Sequence, residues 1–150
     1  MNETIRHKIL AMLDGHRIIS LATLRPDGWP QATTVGYVNE GLAIYFLCGR
    51  ESQKTHNLAL DDRVSLTIND NPSDVMMIEG LSMAGHAREM TDQAKAASLI
   101  ARMPLRYPDS PPLPMPLPRP EQVRIYCVTP VVISILDYSK GFGHTDLVIV

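Results

Sequence analysis

The stretch Ile18-Ile19-Ser20-Leu21-Ala22-Thr23-Leu24-Arg25-Pro26-Asp27-Gly28-Trp29-Pro30-Gln31-Ala32-Thr33-Thr34-Val35-Gly36-Tyr37-Val38 decides the fold. Its first seven residues read as a strand. Pro26-Asp27-Gly28 then supplies turn chemistry, because proline presets φ and glycine accepts a positive φ. The chain returns as a second strand over Gln31–Val38, and a further turn at Asn39-Glu40-Gly41 leads into a third, Leu42 to Cys48. Three strands joined by turns this short must be antiparallel, since a parallel crossover needs a dozen residues or more.

Outward from the hairpin, Asn2 caps a first helix whose apolar positions Ile5, Ile9, Met12 and Leu13 fall at helical spacing, with Gly15 at its end. Downstream lie a short helix from about Ser52 to Leu60, an alternating strand Arg63–Ile68, and an extended run Val75–Arg88. In that run Gly80 and Gly85 mark bulges or points of close backbone approach. A helix opens at Thr91-Asp92 and stops before Pro104. From Pro104 to Pro120 there are eight prolines in seventeen residues, which predicts a stiff, extended surface loop. Val123–Tyr138 supplies a last strand, interrupted at Pro130, and a glycine-containing tail follows. The expected fold is therefore α+β: one domain over 1–150, a six-stranded antiparallel barrel with flanking helices.

The totals restrict function. A formal net charge of −2 offers no field that would attract a nucleic acid. The N-terminus has no apolar leader, and no stretch approaches transmembrane length, so neither a membrane nor export is expected and the cytoplasm is the default. Cys48 and Cys127 sit in apolar strand-like runs; they read as two buried thiols in a reducing compartment or as a single disulfide.

Two features carry chemistry. Gly49-Arg50-Glu51-Ser52-Gln53-Lys54 joins a strand to a helix. Ser52 is an N-cap residue, and the free first amides, with Arg50 and Lys54, form a cup for a phosphate dianion or else a solvated surface turn. On the returning strand, Ala32, Thr34 and Gly36 share a face almost free of bulk, against which either a planar ring or another packing element fits. His56 and His86 read as solvated or capping histidines. His144, between a glycine pair and Thr145-Asp146, stands where a tail can close over a cofactor and is the candidate substrate contact. No two histidines have zinc-site spacing, so no metal is expected. Cys48 has no visible base partner, and Trp29 reads as a packing or dimer contact.

The run Ile18–Leu60 resembles the pyridoxamine 5′-phosphate oxidase-like FMN-binding split-barrel proteins, through the hairpin Leu21–Val35 and the segment Tyr45-Phe46-Leu47-Cys48-Gly49-Arg50-Glu51-Ser52-Gln53-Lys54. Gly85-His86-Ala87-Arg88 matches the family's glycine-bearing strand. The resemblance implies FMN as cofactor, its phosphate gripped by Ser52 and Lys54 with Arg50 helping. The ring and ribityl chain would run along Ala32, Thr33, Thr34 and Val35 and past Leu47 and Cys48. It also implies a homodimer acting as an oxidoreductase on a small molecule. Gln31–Val38 lacks the flavin-contacting arginine and lysine of the better-studied oxidases, and their pyridoxal-contacting arginines have no match in Gly141-Phe142-Gly143-His144, so their substrate is not implied. Related barrels also use the deazaflavin F420; the alternatives are a flavin-, F420- or haem-binding protein for sensing or storage, without turnover, and a structural dimer with an empty site.

Overall fold

A computed structural model describes all residues 1–150. Its core is one curled antiparallel sheet, with three helices around it: α1 (Glu3–Gly15), α2 (Gln53–Leu60) and α3 (Gln93–Arg102). The strands are β1 (Ile18–Leu24), β2 (Pro30–Gly36), β3 (Val38–Glu40), β4 (Ala43–Gly49), β5 (Arg63–Asn69), β6 (Glu79–Glu89), β7 (Val123–Asp137) and β8 (Thr145–Ile149). They lie in the order β2-β1-β5-β6-β7-β4-β3, and β8 pairs with β7. No helix is long and apolar enough to cross a membrane.

The first hairpin forms as its turn residues dictate. Gly28 takes φ +86°, Asp27 accepts from the Trp29 amide at 3.1 Å, and β1 and β2 pair from Ile18↔Gly36 to Leu24↔Pro30. All three helix starts carry the side-chain caps their sequences suggest: Asn2 on Thr4 N, Ser52 on Thr55 N, and Asp92 on Lys95 N. Inside the sheet, Leu21, Ile44, Phe46, Leu66, Leu81, Met83 and Ile133 are buried together with Ile9 and Leu13 of α1. A smaller cluster packs Leu99 and Ile100 of α3 on Val38, Tyr45 and Ile125.

Two strands join the expected six. The second strand stops at Gly36, because Tyr37 turns into the core, donating its hydroxyl to Leu13 O at 2.6 Å and its amide to Arg17 O at 3.2 Å. Val38–Glu40 then pairs with β4 as a separate strand. The tail forms β8 along the second half of β7, from Val132↔Ile149 to Leu136↔Thr145. Val75–Met77 is a 3-10 turn rather than strand, since Asp74 caps it by accepting from Met76 N at 2.9 Å. Pro130 does not interrupt β7. It falls between the residues paired with β4, which end at Val128, and those paired with β8, which begin at Val132, so its missing donor leaves no ladder bond broken on that side. On the other side a bulge sets Gly85 opposite Pro130.

Lys8 of α1 bridges Asp137 at 2.5 Å and Glu79 at 2.7 Å, pinning the helix to the β7 end. The Lys8 ammonium and the Ser139 hydroxyl hold the Asp137 carboxyl down to about 2, from an ordinary 3.8. A depressed carboxylate binds fewer protons when folded than when unfolded. The stability it adds is complete above its unfolded value and drains away as pH falls through the folded one. Acid titration of the unfolding midpoint should therefore fall more steeply between pH 3.8 and about 2 in the native chain than in Asp137→Asn. Parallel curves would remove Asp137 as a source of acid sensitivity.

Candidate functional site

The sheet does not close. Beyond Tyr45, which pairs with Val38, β4 has no partner on the side away from β7, and β2 has none on the side away from β1. Two open strand edges, Pro30–Val35 and Phe46–Gly49, thus flank a split, with the start of α2 following directly from the β4 edge. Unpaired backbone N–H and C=O groups must be satisfied by something. A planar heterocycle with alternating donors and acceptors along its rim can do this as a further strand would.

Six of the sequence-derived positions lie on these edges. Ala32 and Thr34 point to the exposed outer face, whereas Val35 and Cys48 are buried in the core. The Thr33 hydroxyl is buried without a hydrogen-bond partner. Leu47 packs with the α3 cluster. Four of the six therefore offer the split their backbone rather than an exposed side chain.

At the base of the split, Ser52 Oγ accepts from Thr55 N at 3.2 Å and lies 3.1 Å from Thr55 Oγ1, which in turn donates to Gly49 O at 2.8 Å. Cys48 Sγ lies 3.3 Å from the same Thr55 hydroxyl. This cap leaves the Gln53 and Lys54 amides without intrahelical partners. Lys54 makes no ion pair, which leaves its ammonium free for an anion. Arg50 is turned elsewhere: its guanidinium donates to Glu121 O at 3.2 Å and Val123 O at 3.4 Å. It lines a cavity of about 400 Å³ that also holds Arg88, Arg124 and His56 but not Ser52 or Lys54.

His144 keeps to its own hairpin, where Nε2 meets Asp146 Oδ1 at 3.2 Å and its carbonyl accepts from Asp137 N. His56 is exposed, 3.8 Å from Glu51. His86 Nδ1 lies 2.7 Å from Asp62 Oδ1, while Arg88 Nε donates to the other oxygen at 3.1 Å; both pull the Asp62 carboxyl below its usual range. With Nδ1 so engaged, Nε2 of His86 is the nitrogen left for a ligand. His86 borders a cavity of about 370 Å³ on the outer face, among Ala22, Ser65, Ala84 and Gly85. Both cysteines are free thiols.

Sequence reasoning missed a buried polar knot behind the cup. Asn57 of α2 is fully buried and donates to Thr23 Oγ1 at 2.9 Å and to Gln31 Oε1 at 3.0 Å, while accepting from Gln53 Nε2 at 2.8 Å. The available signal was an asparagine beside Leu58 on the helix face that packs inward.

No curated protein matches this chain. Solved structures share its fold. A conserved hypothetical protein of Mycobacterium tuberculosis superposes with a TM-score of 0.77 at 23% identity, over 97% of this chain and 91% of that one. A protein of Listeria innocua described as a pyridoxamine 5′-phosphate oxidase gives 0.71 at 21%, over 89% and 98%. A haem-binding protein of Mycobacterium smegmatis gives 0.67 at 21%, over 93% of this chain and 56% of that one. The family model for pyridoxamine 5′-phosphate oxidase matches residues 5–130, which takes in the split, the cup and every strand up to Pro130, and the chain belongs to that family.

Proposed function

We propose that this chain binds FMN in the split between β2 and β4 and uses it for redox chemistry on a small molecule. The observation that carries the reading is the pair of open strand edges running to a helix start that presents free amides and an unpaired lysine. The buried, partnerless Thr33 hydroxyl fits a hydrogen-bonding guest beside β2. A bound flavin supplies the electron transfer; the chain's own groups bind, orient and exclude water. Lys54 and the Gln53 and Lys54 amides would hold the phosphate. The backbone of Ala32–Val35 and Leu47–Cys48 would border the ring.

A second copy of the chain would form the other wall. Ala32, Ala22, Ser65 and Ala84 make one cross-strand row on the outer face, and Thr34, Ser20, Thr67 and Ser82 make the next. A sheet face this poor in bulk lets another sheet approach closely, which supports a homodimer. The two free thiols support a reducing compartment such as the cytoplasm.

The visible spectrum of the purified protein tests the cofactor. A flavin band is expected; a Soret band would move the reading to haem. Haem is the second reading because of the likeness to the Mycobacterium smegmatis protein and the ligand-ready Nε2 of His86. A charge-assisted contact contributes about 1.5–3 kcal/mol, so Lys54→Ala should weaken FMN by about tenfold or more and leave riboflavin almost unchanged. Equal losses for both ligands would overturn the placement of the phosphate.

A further inference from the structure

The placement of the phosphate beside Lys54 is the starting point here. Asn57 spends its whole amide inside the protein: both Nδ2 donors go to Thr23 Oγ1 and Gln31 Oε1, and Oδ1 accepts from Gln53 Nε2. Such saturation orients not only Asn57 but also its neighbours. Gln31 sits opposite Thr23 across the first hairpin, and its oxygen is committed to Asn57. What remains is Gln31 Nε2, which carries two N–H donors, has no protein partner and is not sealed from solvent.

The position of that nitrogen matters. Asn57 lies three residues after Lys54, on the same face of α2, and helical side chains lean toward the N-terminus. Asn57, in the second turn, is tied by its amide both to Gln53 in the first turn, where the free amides are, and to Gln31. The helix side of the cup brings a mobile point charge in Lys54. The strand side brings a neutral donor whose direction is set by a buried partner. A lysine alone attracts any anion, whereas a fixed amide adds a geometric requirement that a tetrahedral oxyanion meets.

We propose that Gln31 is a third donor to the ligand's phosphate monoester, and that Asn57 is the positioning residue that aims it. Binding of a phosphate-bearing flavin thus draws on the β1–β2 hairpin as well as on α2.

The test is titration of the flavin-stripped full chain with FMN and with riboflavin, read by flavin fluorescence. Gln31→Glu keeps an acceptor for Asn57, so the knot survives, but it turns a carboxylate toward the phosphate. FMN should weaken by about twentyfold or more and riboflavin by less than about threefold. Gln31→Asn removes the reach without adding charge and should lower the ratio of FMN to riboflavin affinity by about fivefold. Riboflavin binding in the same samples shows that each variant keeps a folded site. If both variants keep the native ratio while Lys54→Ala lowers it, the phosphate lies where proposed and Gln31 is only a packing residue. If Lys54→Ala also leaves the ratio unchanged, the phosphate end itself is wrong, and the role of Gln31 falls with it.

Discussion

Gly85→Ala should unfold this protein at markedly lower urea, with a loss of about 3 kcal/mol or more. A Cβ at position 85 would stand 2.4 Å from the Thr129 carbonyl oxygen, 3.0 Å from its carbon and 3.1 Å from Pro130 Cα. All three are backbone atoms of β7, so no side chain can swing aside. Relief requires β6 and β7 to part at the bulge, where the register shifts between Ala84 and Gly85. These two strands pair from Glu79↔Asp137 to Glu89↔Tyr126 along the middle of the sheet, and a gap there opens the core at Met83 and Ile133. Gly80 provides a control, because its added Cβ would meet Ile68 O at 3.3 Å, a contact a few tenths of an ångström can relieve. Gly80→Ala should cost clearly less. A Gly85→Ala midpoint equal to that of Gly80→Ala would show that the bulge yields easily.

Gly85 was legible as a site of close backbone approach because glycine within a strand pattern has few other uses. The first hairpin was legible for a similar reason. Its turn residues and its alternation are local, and both read off the same twenty-one residues, Ile18 to Val38. β3 and β8 were not. Both pair with the strand next to them in sequence, β3 with β4 and β8 with β7, but Val38–Glu40 is short and falls where Asn39-Glu40-Gly41 reads as a turn, and Thr145–Ile149 follows glycines that read as an irregular tail. The candidate site divides along the same line. Ser52 as a cap and Lys54 beside it follow from a short motif. The split follows from two strands that do not pair, and a missing ladder leaves no mark on either one. Arg50 shows the limit of proximity in sequence: it lies two residues from Ser52, yet its guanidinium straps the start of β7 through the carbonyls of Glu121 and Val123.

The proline-rich segment, 104–120, reads as an extended surface loop; it is largely exposed, but it begins with a 3-10 turn at Pro104–Arg106 and a second turn closed from Ser110 N to Tyr107 O at 3.1 Å, and a 3-10 turn at Pro120–Gln122 ends it. What holds its beginning is Arg106. Its guanidinium donates to Leu13 O at 3.0 Å, to His16 O, and to Asn39 Oδ1 at 3.0 Å, and it lies 4.8 Å from the centroid of the Tyr37 ring. Leu13 and His16 are at the C-terminal end of α1, where carbonyls lack intrahelical donors and the helix dipole favours a cation. Tyr37 donates its hydroxyl to the same Leu13 carbonyl, and burial pushes that phenol up to about 12, so it remains a donor throughout the working pH range. Arg17 completes the clasp by donating Nε to Arg106 O at 2.7 Å. Arg106→Met keeps the stem and loses the fork. It strands the His16 carbonyl and the Asn39 amide oxygen and leaves Leu13 O with the Tyr37 hydroxyl alone, at a cost of about 3 kcal/mol. In a chain of this length, that corresponds to a fall in Tm of roughly 6–12 °C. Arg106→Lys should recover less than half, because one ammonium cannot span three acceptors in fixed directions. Thermal unfolding of the three proteins decides the matter, and limited proteolysis adds a local readout. With the clasp gone, cleavage between residues 107 and 119 should accelerate more than global stability alone explains. An Arg106→Met protein that melts with the native chain would mean that the loop's start is held by Tyr107 and the prolines instead.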